Sequence, residues 1–565
     1  MTLISLIKLH KKSCIITAIL ALAVVVIVAV ALAVVLPRSE SANKGVVVSN
    51  GYCCSSIGVD IMKKGGNAVD AAIATLFCEG VTLPQSMGLG GGFLMTIYNR
   101  TTREVHSLNA RETAPEAATE DMFHGDPNLS LNGGLSVAIP GELAGYWSAY
   151  QKYGGGVAWK ELVQPSIDLC KQGIYVTKYM AKVLKDIEDD LYADPVLRQD
   201  FLDPSTNETY LEGDYFTRPT LAKTLEIISE EGGYAINNGS LTANLVKDIR
   251  DNNGIITVED MRNYRPVWQT SIRATLAGNN TLYSAPLPGS GIILAFILNI
   301  LDGILDTTNH FSITNYQRII ESFKFAYAKR TELGDVNDSL EINQLIANLT
   351  SRAYAEGIRS RISDNSTSQD GSYYGATKSL TEDHGTAHIS VLAPNGDAVS
   401  VTSTINYIFG AKFASNSTGI ILNDQMDDFS SPNITNVYGV PPSPSNYIRP
   451  GRRPMSSMTP SIVVDGNGDV LMVIIKHLWF GINLKESSES KRFHHQLFPM
   501  KVDLEDEFRT QDTYVAEGLA AIGHNVSFSP SGSGFAAVTC ISTNKGQSIV
   551  GYADKRRTGS ATYFN

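Results

Sequence analysis

The chain has 565 residues, 43% hydrophobic and 18% charged, so it can bury a large core, and its length allows one large fold or several domains. A formal net charge of -11 with a pI near 5.5 excludes a nucleic-acid footprint, because counterion release needs a clustered excess of Lys and Arg. Six cysteines are too few for a disulfide-dense scaffold, so a buried core must do most of the stabilising.

In chain order, residues 1–13 form a short basic tail and Cys14 to Leu36 an unbroken apolar run. At ~1.5 Å per residue that run spans a ~30 Å hydrocarbon core and predicts a transmembrane signal anchor. Lys8, Lys11 and Lys12 precede it while Arg38 and Glu40 follow, so the positive-inside bias predicts type II topology with a cytoplasmic tail. A cleaved signal peptide is the competing reading, but its apolar stretch is ~7–15 residues and Pro37-Arg38 is a poor cleavage context. Residues 37–44 read as a stalk. Sequons begin at Asn99, Asn128, Asn207, Asn238, Asn279, Asn337, Asn348, Asn365, Asn416, Asn433 and Asn525, all beyond the run, which predicts an extracellular glycoprotein ectodomain at the plasma membrane.

Gly45 to Val48 then reads as a strand and Ser55 to Lys64 as a helix stopped at Gly65-Gly66. Asn67 caps a second helix whose Val69, Ala72, Ile73 and Leu76 share one face, a core spacing. The glycine run Gly88 to Gly92 lacks the preceding strand, capped helix and distal acid of a dinucleotide loop, so it predicts a tight structural turn. Strands are predicted at Phe93–Tyr98 and Val105–Leu108, and mainly helical patterns fill much of 140–360. From Ala387 onward apolar and polar residues alternate, with turns at Pro394–Asp397 and Asp465–Asp469. Helices first and paired strands later predict α+β layers around one core. There is no internal repeat, Walker-type phosphate loop or zinc-spaced Cys/His cluster.

Thr386 opens a predicted hairpin, 386–393 against 398–405. Threonine is a weak nucleophile with no adjacent base, unless cleavage before it frees an α-amine of pKa ~7.7–8.0, which then accepts the hydroxyl proton. Taken singly, each candidate has a plainer reading. Thr386 is a β-former at a strand edge, Arg111 a surface ion pair, Asp427-Asp428 a solvated turn and Ser456-Ser457 a loop. His384 and His388 have the spacing of a metal pair, but Gly385 and the strand beyond it argue against one.

Order and context change these readings. Asp383–His388, Thr402–Asn406 with Phe409-Gly410, Asn423–Ser430 and Arg453–Met458 follow Gly65–Ala72, Gly88–Phe93, Leu108–Pro115 and Ala138–Glu142. In this order and at these spacings, from Gly45 to Asn565, the chain resembles gamma-glutamyltransferases. The resemblance implies an N-terminal nucleophile hydrolase fold, a four-layer αββα sandwich. It implies a proenzyme cut between Gly385 and Thr386 into a large subunit, 45–385, and a small subunit, 386–565, held together without a covalent link. It further implies transfer of the γ-glutamyl group of glutathione or its conjugates to water, amino acids or dipeptides, through an ester on Thr386, with no metal or cofactor.

By position, the resemblance assigns Arg111 to the substrate α-carboxylate, with Ser456 and Ser457 completing that pocket. Asn406, Gln425 and Asp428 would hold the α-amine, and Thr404 would contact the Thr386 hydroxyl. Gln425 stands where some members have a glutamate, which implies weaker recognition of the ammonium. Cys54 and Cys78 match positions bridged in relatives, with Cys53 as a competitor.

One stretch departs from the family. Val470 to Ile475 runs directly into Lys476-His-Leu-Trp-Phe-Gly481, whereas the family carries a Gly-rich segment there whose paired glycines supply the oxyanion-hole N–H groups. Loss of a single such donor costs ~10²–10³ in rate. Three readings stay open: a working transferase with a rebuilt oxyanion site, a catalytically silent glycoprotein of the same fold, and an acylase acting on another side-chain amide.

Overall fold

The computed structural model describes residues 44–335, 340–379, 385–434, 441–471, 474–530, 537–543 and 549–565. The predicted anchor, Asp383 and His384 lie outside these residues. Among the described residues no helix is long and apolar enough to cross a membrane.

Strand β1 (Gly45–Ser49) is buried at every position. Helix α1 (Cys54–Lys63) follows, then α2 (Ala68–Thr82). Asn67 caps α2 as its sequence position predicts: its Oδ1 accepts from the Val69 and Asp70 amides at 2.9 and 3.1 Å, and the Asp70 carboxylate accepts from the Asn67 amide at 3.0 Å. The apolar stripe understates the burial of α2, because ten further residues, Asp70 and Glu79 among them, are also enclosed, which leaves Gly80 as the one position not fully buried. A helix covered on all sides marks the centre of the body.

Strands β2 (Gly92–Tyr98) and β3 (Val105–Ala110) form where predicted, and α3 (Glu142–Tyr153) packs against both. Within the region read as mainly helical, strands also appear: a short pair at Ile174–Tyr175 and Tyr215–Phe216, and then β4 (Val267–Thr270), β5 (Ile272–Leu276) and β6 (Asn280–Ser284). Helix α4 (Gly291–Leu301) lies on β5 and β6. The hairpin of β7 (Ala387–Leu392) and β8 (Ala398–Thr404) turns at 393–397, and that of β9 (Ser461–Val464) and β10 (Val470–Leu471) at 465–469. Strands β11 (Thr539–Thr543), β12 (Ile549–Ala553) and β13 (Ser560–Phe564) complete the set used below.

The larger sheet has the order β13-β1-β7-β8-β2-β3-β4, and the smaller β10-β9-β6-β5. Helices α1, α2 and α3 cover one side of the larger sheet, and β9 packs against β8 and β2 from the smaller. Val46, Val48, Tyr98, Leu392, Ile462, Val464 and Val470 share one core between the sheets, while Ala274, Leu282, Ala295 and Leu298 join the smaller sheet to α4. The Tyr98 hydroxyl ties the sheets by donating to the Gly468 carbonyl at 2.9 Å. This is a mixed α/β body in which β7 and β8 sit at the middle of the larger sheet.

Candidate active site

Thr386 immediately precedes β7 and is half-buried. Its hydroxyl donates to the Gly385 carbonyl at 2.5 Å, and the Thr404 hydroxyl, from the end of β8, donates to the same oxygen at 2.7 Å. Thr404 Oγ1 in turn accepts from the Asn406 amide at 2.8 Å. The carbonyl before the nucleophile is thus polarised by two hydroxyls. Gly385 has φ +63°, and a Cβ there would stand 2.6 Å from the Asn406 carbonyl, so this position needs glycine on two counts.

Asn406, at φ +75°, donates through Nδ2 to the Asp424 carbonyl at 3.2 Å. The Asp424 side chain accepts from the Tyr407 amide at 3.0 Å, and burial pushes its carboxyl well above the usual range. Gln425 is fully buried and donates from Nε2 to Asp428 Oδ2 at 2.6 Å. Arg111 donates from Nη2 to the same Asp428 oxygen, and reaches the carbonyls of Pro454 (from Nε) and Met455 (from Nη2), each at 3.2 Å. Arg111 Nη1 has no hydrogen-bond partner and lies 3.8 Å from Glu112 Oε2. Arg111, Gln425 and Asp428 therefore meet in one buried cluster, with Asp428 Oδ2 accepting from both of the others.

The two serines part company. Ser456 is buried, its Oγ accepting from the Met458 amide at 3.2 Å and its carbonyl from the Ser290 hydroxyl at 2.6 Å, whereas Ser457 is exposed. Cys54 and Cys78 are joined, with Cα atoms 5.5 Å apart. His388 Nδ1 lies 2.7 Å from Thr402 Oγ1, and burial lowers its pKa to about 4.

Three residues that the sequence did not single out hold these parts in place. Asn423 donates from Nδ2 to the carbonyls of Gly90 and Ala138 at 2.7 and 2.9 Å and accepts from the amides of Ala138 and Gln425 at 3.0 and 2.9 Å. It clamps the glycine run to the 423–428 segment. Its only sequence signal is its place at the head of the Asn423–Ser430 motif. Glu142 accepts from the hydroxyls of Tyr146 and of Ser403, the latter at 2.8 Å; burial drives its pKa up to about 8. Glu112, also fully buried, is raised to about 7 by burial, which outweighs the nearby Arg111.

The glycine run is a structural turn. A Cβ on Gly90 would stand 1.9 Å from the Ile421 carbonyl, and one on Gly91 2.2 Å from the Thr404 carbonyl. The Gly91 carbonyl accepts from the amides of Gly141 and Glu142 at 2.9 and 3.0 Å. Backbone crosses backbone here, at the end of the strand that carries Thr404.

Where the Gly-rich segment was expected, β10 ends at Leu471 and Ile474–Trp479 forms a π-helical turn, in which the Phe480 amide bonds the Ile475 carbonyl at 3.2 Å. His477 engages the Ile482 carbonyl at 2.7 Å and Ser542 Oγ at 2.6 Å, and Lys476 donates to Ser490 Oγ at 2.6 Å. These side chains serve local packing.

The family model described as gamma-glutamyltranspeptidase matches residues 54–564. "Scoloptoxin SSD14" of Scolopendra dehaani is 43% identical over 542 residues, covering 92% of each chain. "Glutathione hydrolase proenzyme 1" of Schizosaccharomyces pombe is 38% identical over 547 residues, covering 92% of this chain and 84% of its own. In fold, the cephalosporin acylase of Bacillus halodurans superposes with a TM-score of 0.78 at 21% identity, over 93% of this chain and 98% of its own. A match that runs from α1 through β13, together with relatives this similar over most of their length, shows that this chain belongs to the gamma-glutamyltranspeptidase family of enzymes.

Proposed function

We propose that the chain cleaves itself before Thr386 and then transfers the γ-glutamyl group of glutathione and its conjugates to water, amino acids or dipeptides. The observation that carries this reading is the Gly385 carbonyl, bonded by both the Thr386 and Thr404 hydroxyls. Attack of Thr386 Oγ1 on that carbonyl carbon moves the acyl group from nitrogen to oxygen, and water then hydrolyses the ester. The freed α-amine, with a reference pKa of ~7.7–8.0, becomes the base for the same hydroxyl.

In the second reaction Thr386 attacks the γ-carbonyl, the amine leaves with the proton that the α-ammonium supplies, and water or an acceptor amine releases the glutamyl ester. A zwitterionic glutamyl head group supplies a carboxylate for Arg111 and an ammonium for Asp428, Gln425 and Asn406, so it would enter by replacing the pairing of these residues with each other. Ser456 and Ser457 would complete the carboxylate pocket. In this reading 14–36 anchors the enzyme at the plasma membrane, the ectodomain lies outside, and the packed sheets between helices form the four-layer αββα sandwich.

A second reading, a silent member of the family, is favoured by the π-helical turn at Ile474–Trp479, where the family's oxyanion donors are expected. Expression in a glycosylating host, with Thr386→Ala as control, separates the two. Two bands on a denaturing gel with Thr386-dependent release of the chromophore from a γ-glutamyl chromogenic donor support the enzyme, whereas a single uncut band without turnover supports the silent form.

A further inference from the structure

We propose that Cys53, Cys54 and Cys78 form a thiol–disulfide exchange site, in which the cross-link moves between Cys54–Cys78 and Cys53–Cys78. The Cys54–Cys78 bond joins the first residue of α1 to α2. Cys53 Sγ, on the residue just before α1, lies 3.9 Å from Cys78 Sγ, and the three sulfurs fall within 4.8 Å of one another. Two adjacent cysteines thus stand where one closes the bridge, and the spare thiol touches the bond.

The step balances internally. The Cys53 thiolate attacks Cys78 Sγ, the Cys53–Cys78 bond forms, the Cys54–Cys78 bond breaks, and Cys54 leaves as a thiolate that takes up the proton Cys53 gave away. No outside oxidant or reductant is consumed. The leaving sulfur lies 3.3 Å from the Thr82 hydroxyl. With all three sulfurs within 4.8 Å of one another, Cys53 stands to the side of the bond and its side chain must swing into line; Cys53 is only half-buried and its side chain makes no capping bond to α1. Burial also pushes its thiol above the ordinary value, so the thiolate is scarce and exchange is slow.

The site is wired to the nucleophile strand. Glu79, next to Cys78, accepts from the amides of Asn50 and Gly51 at 2.6 and 3.0 Å, and Asn50 Oδ1 accepts from the His388 amide at 2.8 Å, two residues beyond Thr386. Moving the cross-link by one residue therefore pulls on the turn that anchors the start of β7.

The test is covalent and independent of the transferase reading. The native, unreduced protein is incubated for hours with iodoacetamide and digested, and fragment-ion spectra locate the label within the Cys53-Cys54 peptide. Expected are label on both cysteines, both cross-links in the non-reduced digest, a bridged Cys78 in Cys54→Ser, and loss of Cys54 label to background in Cys53→Ser. Label confined to Cys53 in the wild-type chain, an alkylated Cys78 in folded Cys54→Ser, or persistent Cys54 label in Cys53→Ser overturns the proposal. Should Cys54→Ser fail to fold, the wild-type label distribution decides.

Discussion

Thr386 and Arg111 make different kinds of demand on their surroundings. If Thr386 is the proposed nucleophile, Thr386→Ala should leave the chain uncut, which a denaturing gel reads directly. Arg111→Lys keeps the charge but loses the fork that spans Asp428 and the Pro454 and Met455 carbonyls. Charged hydrogen bonds contribute ~1.5–3 kcal/mol each, so the expected rise in KM for a γ-glutamyl donor is about 10- to 150-fold, with a smaller change in kcat. Glu142 predicts a pH dependence. Its folded pKa, about 8, lies above the unfolded ~4.3, so the folded state holds the proton more tightly. Its contribution to stability is fully present below ~4.3 and is lost as pH rises through about 8. Thermal midpoints should therefore fall across that window, and Glu142→Gln should flatten the slope. Of these residues, Thr386, Thr404, Arg111, Asn406, Gln425 and Asp428 could be named from motifs because each motif is contiguous. Asn423 and Glu142 act by gathering segments distant in sequence, which no local pattern displays.

At the scale of elements, the caps and hairpins were legible because their chemistry is local. Asn67→Ala removes a complete capping box and should cost ~0.5–2 kcal/mol in denaturant unfolding without altering cleavage. The strands at 267–284 were read as helical territory although Ile272, Ala274 and Leu276 alternate with Arg273 and Thr275. Their period-two signal covers only a few residues, and pairing across the sheet, not propensity, stabilises such short strands. The 470–481 stretch illustrates the reverse case. The departure was visible in sequence, while the π-helical turn that occupies it depends on what Lys476 and His477 meet in the fold. Grafting the Gly-rich segment of a relative between Val473 and Lys476 should raise turnover at least ~10²-fold if missing oxyanion donors limit the rate. Unchanged turnover in the graft, with cleavage intact, would count against that cause.

For the whole molecule, the strand order makes its own prediction. β1, from the segment before Thr386, lies between β7 and β13, both from the segment after it. A cut at Gly385–Thr386 leaves those ladders and the shared cores in place. The two cut pieces should co-elute on a sizing column in native buffer and separate only in denaturant. The sequence by itself determined the family, the candidate nucleophile, the candidate head-group residues and the place of the missing segment, because contiguous motifs at fixed spacing carry that information. Only the tertiary structure decided that Arg111 and Asp428 pair, that Ser456 is enclosed while Ser457 faces solvent, and that Cys53 touches the Cys54–Cys78 bond. Those outcomes depend on which distant segments share a buried volume, where desolvation makes every polar group find a partner, and spacing along the chain does not encode that.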